Sequence, residues 1–91
     1  MTFGEIEVAE QQGLTKMPQK AASAWAAFDG GMTGAGYRPV AYVGTQVVKG
    51  VNHVFLVEQT LVLAQPVRHI VIVKINELND EYTPVGIEQI F

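Results

Sequence analysis

The sequence predicts an α+β domain in which one α-helix packs across an antiparallel β-sheet of four or five strands. A single stripe of apolar residues at helical spacing lies in the first third of the chain. Four runs rich in β-branched residues follow it, separated by polar or glycine-containing turns. Four strands joined in succession by turns form an antiparallel meander, and one amphipathic helix can cover one of its faces. We expect the 91 residues to form a single domain, residues 1–91.

The composition is that of a globular protein, with 48% hydrophobic and 16% charged residues. The net charge is −3 and the six basic residues are scattered, so nucleic acid is not an expected partner. The chain has no cysteine, which excludes disulfides, cysteine-ligated zinc and a catalytic thiol. No signal-peptide pattern and no apolar run of about 20 residues is present. We therefore expect a cytoplasmic protein with no membrane partner.

The N-terminal part predicts a short strand followed by the helix. Residues 5–9 alternate between charged and apolar side chains, as in a half-buried strand. Thr15 is the expected helix N-cap, with Pro18 in the first turn, and the glycines at positions 30 and 31 end the helix. Trp25 and Phe28 are the expected anchors into the sheet. The complete apolar stripe is Met17, Ala21, Ala24, Trp25 and Phe28.

The rest of the chain predicts the four long strands. They are expected at residues 37–48, 51–63, 67–75 and 82–91, with a bulge at Gly44 and turns at 65–66 and 76–80. The face that meets the helix is expected to contain Phe55, Val57, Val71 and Val73. Since a single helix covers only one face, the other face and the sheet edges are expected to be open. A homodimer or a strand-exchanged dimer is a possible assembly.

The hairpin between the second and third strands carries a recognisable pattern. Its residues are Gln46, Val47, Val48, Lys49 and Gly50, followed by an apolar residue, Asn52 and a run of strand residues. This stretch resembles the Gln-x-Val-x-Gly segment of the cystatins, which inhibit papain-like cysteine proteases. The strand–helix–four-strand order is also similar to the cystatin fold. The chain length and the lack of cysteine resemble the intracellular stefin branch of that superfamily.

The resemblance implies a function and a set of binding residues. It implies reversible, competitive inhibition in which an N-terminal segment and two hairpins fill the active-site cleft of a papain-like protease. Carried onto this sequence, the implied protease-binding residues are Gly4, Gln46, Val47, Val48, Lys49, Gly50 and Leu78. Gly50 would allow a positive φ in the turn, and Gln46 would hydrogen-bond across the hairpin to keep it rigid.

The sequence also departs from the family pattern. Residues 76–80 stand where many cystatins have Pro-Trp, the helix is shorter, and the linker after it is rich in glycine. A Val-Val-x-Gly-Val hairpin is also an ordinary turn in which valines fill the sheet. These points favour an alternative class of function, a non-inhibitory cystatin-fold interaction or structural domain that forms a homodimer.

Catalytic and cofactor chemistry finds little support in the sequence. Ser23 is the only serine, and it lies on the helix without a nucleophile elbow. His53 and His69 lie on different strands without an evident third metal ligand. Glu5 and Glu7 are expected on a solvated strand face, and the glycines at 30–36 lack a P-loop ending. We expect no enzymatic activity, no cofactor and no metal.

Overall fold

The computed structural model describes residues 6–9, 17–31, 35–61 and 64–91. It confirms the predicted class, an α+β arrangement in which one short helix packs against a five-stranded antiparallel sheet. The elements are β1 (Ile6–Val8), α1 (Gln19–Gly31), β2 (Ala35–Val48), β3 (Gly50–Leu61), β4 (Val67–Leu78) and β5 (Glu81–Gln89). The helix begins at Gln19, after Pro18, so the prediction that Pro18 lies in the first turn is wrong; Thr15, the predicted N-cap, lies outside the described residues. The helix ends at Gly31, where the glycines predicted its end.

The strands follow one another across the sheet in the order β1-β2-β3-β4-β5. All neighbouring pairs are antiparallel. The turn expected at residues 76–80 is shorter than predicted, because β4 continues to Leu78 and pairs with β3 and β5. Only Asn79 and Asp80 form the loop, with φ of 52° and 63°. Positive φ at both positions is typical of the type I′ turn, whose twist matches that of the two strands.

Three β-bulges interrupt the pairing, and each of them adds one valine. In β2, the residues before and after Val40 pair with consecutive residues of β3, so Val40 is the extra residue. The same is true of Val43. In β5 the shift leaves Val85 between two residues that pair with adjacent positions of β4. The predicted bulge at Gly44 is thus confirmed, with Val43 as the extra residue. Bulges increase the local twist and bend a strand, which helps the sheet to curve around the helix.

The core lies between α1 and one face of the sheet. Phe28 is buried, and its ring lies 5.2 Å from that of Trp25 and 5.1 Å from that of Tyr37. Trp25 is only half-buried, and it also contacts the ring of Phe55. All four residues predicted for this face are buried. The core residues are Ala21, Ala24, Phe28, Tyr42, Phe55, Val57, Val71, Val73 and Ile75. No helix in the described part of the chain is long and apolar enough to span a bilayer.

Candidate functional site

Both hairpins and the start of β1 lie at one end of the sheet. Lys49 alone separates β2 from β3, and Asn79 and Asp80 separate β4 from β5. β3 and β4 pair in a register that places Val51 opposite Glu77, so the two hairpins are neighbours. Ile6, the first residue of β1, pairs with Gln46. We call this end of the molecule, which comprises Ile6, residues 46–50 and residues 78–81, the tip.

The first hairpin packs closely against β4 at Gly50. The residue has a φ of 80°, a backbone conformation that side chains disfavour. A Cβ added there would overlap the Glu77 carbonyl oxygen and lie 3.2 Å from the Leu78 Cβ. Glycine is therefore required both by the turn and by the neighbouring strand. This confirms the predicted positive φ at Gly50 and adds the close approach of β4 as a second reason for it.

A row of three amide side chains crosses the sheet at the base of the tip. Gln46, Asn52 and Asn76 lie directly opposite one another on β2, β3 and β4. Asn76 Nδ2 donates to Asn52 Oδ1 over 3.0 Å, and Asn52 Nδ2 donates to Gln46 Oε1 over 3.1 Å. Asn76 Nδ2 also lies 3.0 Å from the carbonyl oxygen of Lys49, to which it donates. The predicted role of Gln46 as a hydrogen-bonding residue across the first hairpin is therefore confirmed, with Asn52 as its partner.

A charged group on the helix side of the sheet links α1 to the second hairpin. Lys20 Nζ lies 3.1 Å from Glu77 Oε2 and 3.5 Å from Asp80 Oδ1. His53, which is buried, places Nε2 3.4 Å from Glu77 Oε1. The hydrogen bond from Lys20 lowers the pKa of Glu77 below its usual value, helped by His53 and opposed by partial burial. The same hydrogen bond and the negative charge of Glu77 raise the pKa of Lys20.

Six of the seven predicted binding residues lie together at the tip. Val47 and Val48 are half-buried, Lys49 is exposed, and Leu78 is exposed at the end of β4. Gln46 and Gly50 have the local roles described above. Gly4 lies outside the described residues. The tip thus combines apolar and charged side chains on a backbone held by three adjacent strands.

Comparison with known proteins gives no relative for this chain. No protein-family model, curated protein or solved structure matches it significantly.

The residues considered for other chemistry do not come together. His53 and His69 are separated along the sheet, because His69 pairs with Gln59, six residues from His53 on β3. At about 3.3 Å per residue this is roughly 20 Å. Ser23 is exposed on α1, and Glu5, the expected neighbour of Glu7, lies outside the described residues. Among the residues that the structure describes, no three potential metal ligands form a group.

Sequence reasoning missed two residues that support the tip, Asn76 and Glu77. The sequence pattern predicts a polar turn for both, whereas they belong to β4 and pair with β3. Counting residues back from the turn at Asn79 and Asp80 would have revealed this, since a two-residue loop with positive φ favours asparagine and aspartate. The pairing of Lys20 with Glu77 had no local signal, because the two residues are 57 positions apart.

Proposed function

We propose that this protein is a reversible, competitive inhibitor of papain-like cysteine proteases, and that the tip enters the active-site cleft. The observation that carries the proposal is the position of the two hairpins beside the start of β1, at one end of an elongated molecule. The molecule measures 44 × 24 × 24 Å. The 14 residues of β2 would span about 46 Å at 3.3 Å per residue, so the strands follow the long axis. The tip is therefore a narrow end, which suits insertion into a cleft.

The hydrogen bonds at the base of the tip support binding for an energetic reason. Ordering a flexible loop on association costs about 0.5–1.5 kcal/mol for each immobilised side chain. A hairpin already tied to β4 through Asn76 and Gly50 avoids much of this cost. The interface can then gain its affinity from a few well-packed apolar contacts. Val47, Val48 and Leu78 would provide these contacts, and Gly4 would complete the binding surface as the cystatin resemblance implies.

The proposal is tested by titrating papain with the protein and measuring residual hydrolysis of a fluorogenic peptide. We expect an apparent inhibition constant that rises linearly with substrate concentration, activity that returns on dilution, and an inhibitor chain that stays uncut. Val48→Asp should weaken inhibition at least about tenfold, because it places a charge in a desolvated contact. Deletion of residues 1–4 should also weaken it.

Val67→Asp is the matched control for the Val48 variant. Val67 is 40% exposed and begins β4 at the opposite end of the sheet from the tip. The Val67→Asp substitution should leave the inhibition of papain unchanged. Gly50→Arg is a poorer test, because the added side chain would distort the hairpin itself. If folded wild-type protein at micromolar concentration leaves papain fully active, the proposal is wrong for papain. Equal weakening by both aspartate variants would show that the tip is not the binding surface.

A second candidate function is a non-inhibitory interaction domain that forms a homodimer. The observation that favours it is the exposure of apolar residues in and after β5: Val85, Ile87, Ile90 and Phe91 are 54%, 41%, 46% and 79% exposed. Exposed apolar side chains that gather on a partner's surface are typical of interaction sites. A dimer seen by sedimentation that dissociates in an Ile90→Ser, Phe91→Ser variant, together with unchanged papain activity, would favour this function over inhibition.

A further inference from the structure

The amide row at the base of the tip ends on a backbone atom of the first hairpin. Lys49 is the only residue between β2 and β3, so its carbonyl group lies at the apex of the hairpin. Asn76, on β4, donates to that carbonyl oxygen over 3.0 Å. The apex is thus bonded to a strand that belongs to the other hairpin. A hydrogen bond between two hairpins restrains their relative position as well as their individual shapes.

Asn76 is itself held in place by the rest of the row. Its amide nitrogen also donates to Asn52 Oδ1, and Asn52 donates in turn to Gln46. Asn52 is 7% exposed, and both ends of its amide have partners. Because a buried amide without partners is costly, this arrangement favours one orientation of the Asn76 side chain.

We propose that Asn76 is a positioning residue that fixes the first hairpin relative to the second, and so sets the shape of the tip before any partner binds. This inference deepens the proposed function, because a pre-shaped tip is what cleft binding would use. The positioning itself does not depend on inhibition. Removing the Asn76 donor should therefore increase the mobility of residues 47–51 even if the protein inhibits no protease.

The test is site-resolved amide hydrogen exchange on the free protein. Asn76→Asp keeps the shape of the side chain but replaces the donor with a carboxylate that faces two oxygen atoms. We expect exchange in residues 47–51 to accelerate about fivefold to tenfold, consistent with the loss of a typical hydrogen bond. Exchange in residues 55–59, further along β3, should change by less than about twofold. Asn76→Ala removes the donor without adding a charge, and should give the same local pattern if the aspartate variant unfolds.

Gln89→Glu is the control, because it makes the same amide-to-carboxylate change at an exposed position of β5 away from the tip. It should leave exchange at 47–51 as in the wild type. Unchanged exchange at 47–51 in a folded Asn76 variant, or acceleration that is uniform along β3, would overturn the positioning role.

Inhibition of papain gives a second and separable result. If the wild type inhibits, Asn76→Ala should raise the inhibition constant about fivefold to tenfold and Gln89→Glu should not. If the wild type does not inhibit, the proposed function fails, while the exchange data still decide whether Asn76 positions the tip. An inhibition constant that stays the same despite faster local exchange would show that the restraint does not serve binding, and would overturn the link between the two proposals.

Discussion

At Gly50 the backbone has a φ of 80°, and the residue faces the Glu77 carbonyl oxygen with no room for a side chain. The left-handed conformation alone costs a non-glycine residue about 1–3 kcal/mol. The overlap with a backbone atom adds to this, because the backbone of β4 cannot move without breaking its own pairing. The residue therefore couples the shape of the first hairpin to the position of the second.

We expect Gly50→Ala to lower the free energy of unfolding by at least about 2 kcal/mol, measured by urea denaturation. Gly86→Ala is the matched control, since an added Cβ there meets nothing within 4 Å. Alanine at this strand position should be neutral or stabilise by roughly 0.5 kcal/mol. Equal effects of the two substitutions would contradict the requirement for glycine at Gly50.

At the scale of elements, α1 and the second hairpin are joined by the contact of Lys20 with Glu77 and Asp80. Lys20 is largely exposed, while the Glu77 side chain is 13% exposed and also meets His53. Exposed ion pairs contribute little to stability. We therefore expect the contribution of this group to stability to come mainly from Glu77, a partly buried carboxylate whose partners belong to two other elements.

The lowered pKa of Glu77 predicts a pH dependence of stability. A carboxyl whose pKa is lower in the folded state stabilises the protein above its unfolded pKa, about 4.5, and this stabilisation is lost as pH falls through the folded value. Urea midpoints measured from pH 7 to pH 3 should therefore fall less in Glu77→Gln than in the wild type. Glu58→Gln is the comparison, because Arg38, which is largely exposed, lowers the Glu58 pKa in the same direction. If the urea midpoint of Glu77→Gln fell between pH 7 and pH 3 as much as that of the wild type, this role of Glu77 would be refuted.

For the molecule as a whole, the edges of the sheet govern association. β1 pairs with β2 only at three positions, and β5 forms the opposite edge. β2 extends beyond its pairing with β1, and both β2 and β5 contain a proline followed by a bulged valine: Pro39 with Val40, and Pro84 with Val85. Prolines and bulges are features that prevent edge strands from pairing with another chain. The open edges expected from the sequence are thus interrupted.

We expect Pro84→Val to increase self-association. Proline is accepted on edge strands where its nitrogen faces away from the sheet, so valine would add an outward N–H donor. Sedimentation velocity across a concentration series should show a larger share of dimer in this variant than in the wild type. Pro66→Val, in the exposed turn before β4, should not change association. No increase in Pro84→Val would mean that proline does not protect this edge.

The sequence by itself determined the class of the fold, the helix with its buried Ala21, Ala24 and Phe28, and the position of the first hairpin. These features depend on the spacing of apolar residues and on the positions of glycines, and both signals lie within a few residues along the chain. The helix-facing set was predicted correctly at Phe55, Val57, Val71 and Val73, because alternation along a strand fixes which side chains share a face.

Only the tertiary structure decided how the tip is held together. The donation from Asn76 to Lys49 joins residues 27 positions apart, and the bond between Lys20 and Glu77 joins residues 57 apart. Such pairs depend on the register between strands and on where the helix crosses the sheet. The bulges at Val40, Val43 and Val85 shift that register, and a shift of one residue moves every later side chain to the other face. Local patterns do not contain this information, because register is set by the packing of the whole sheet.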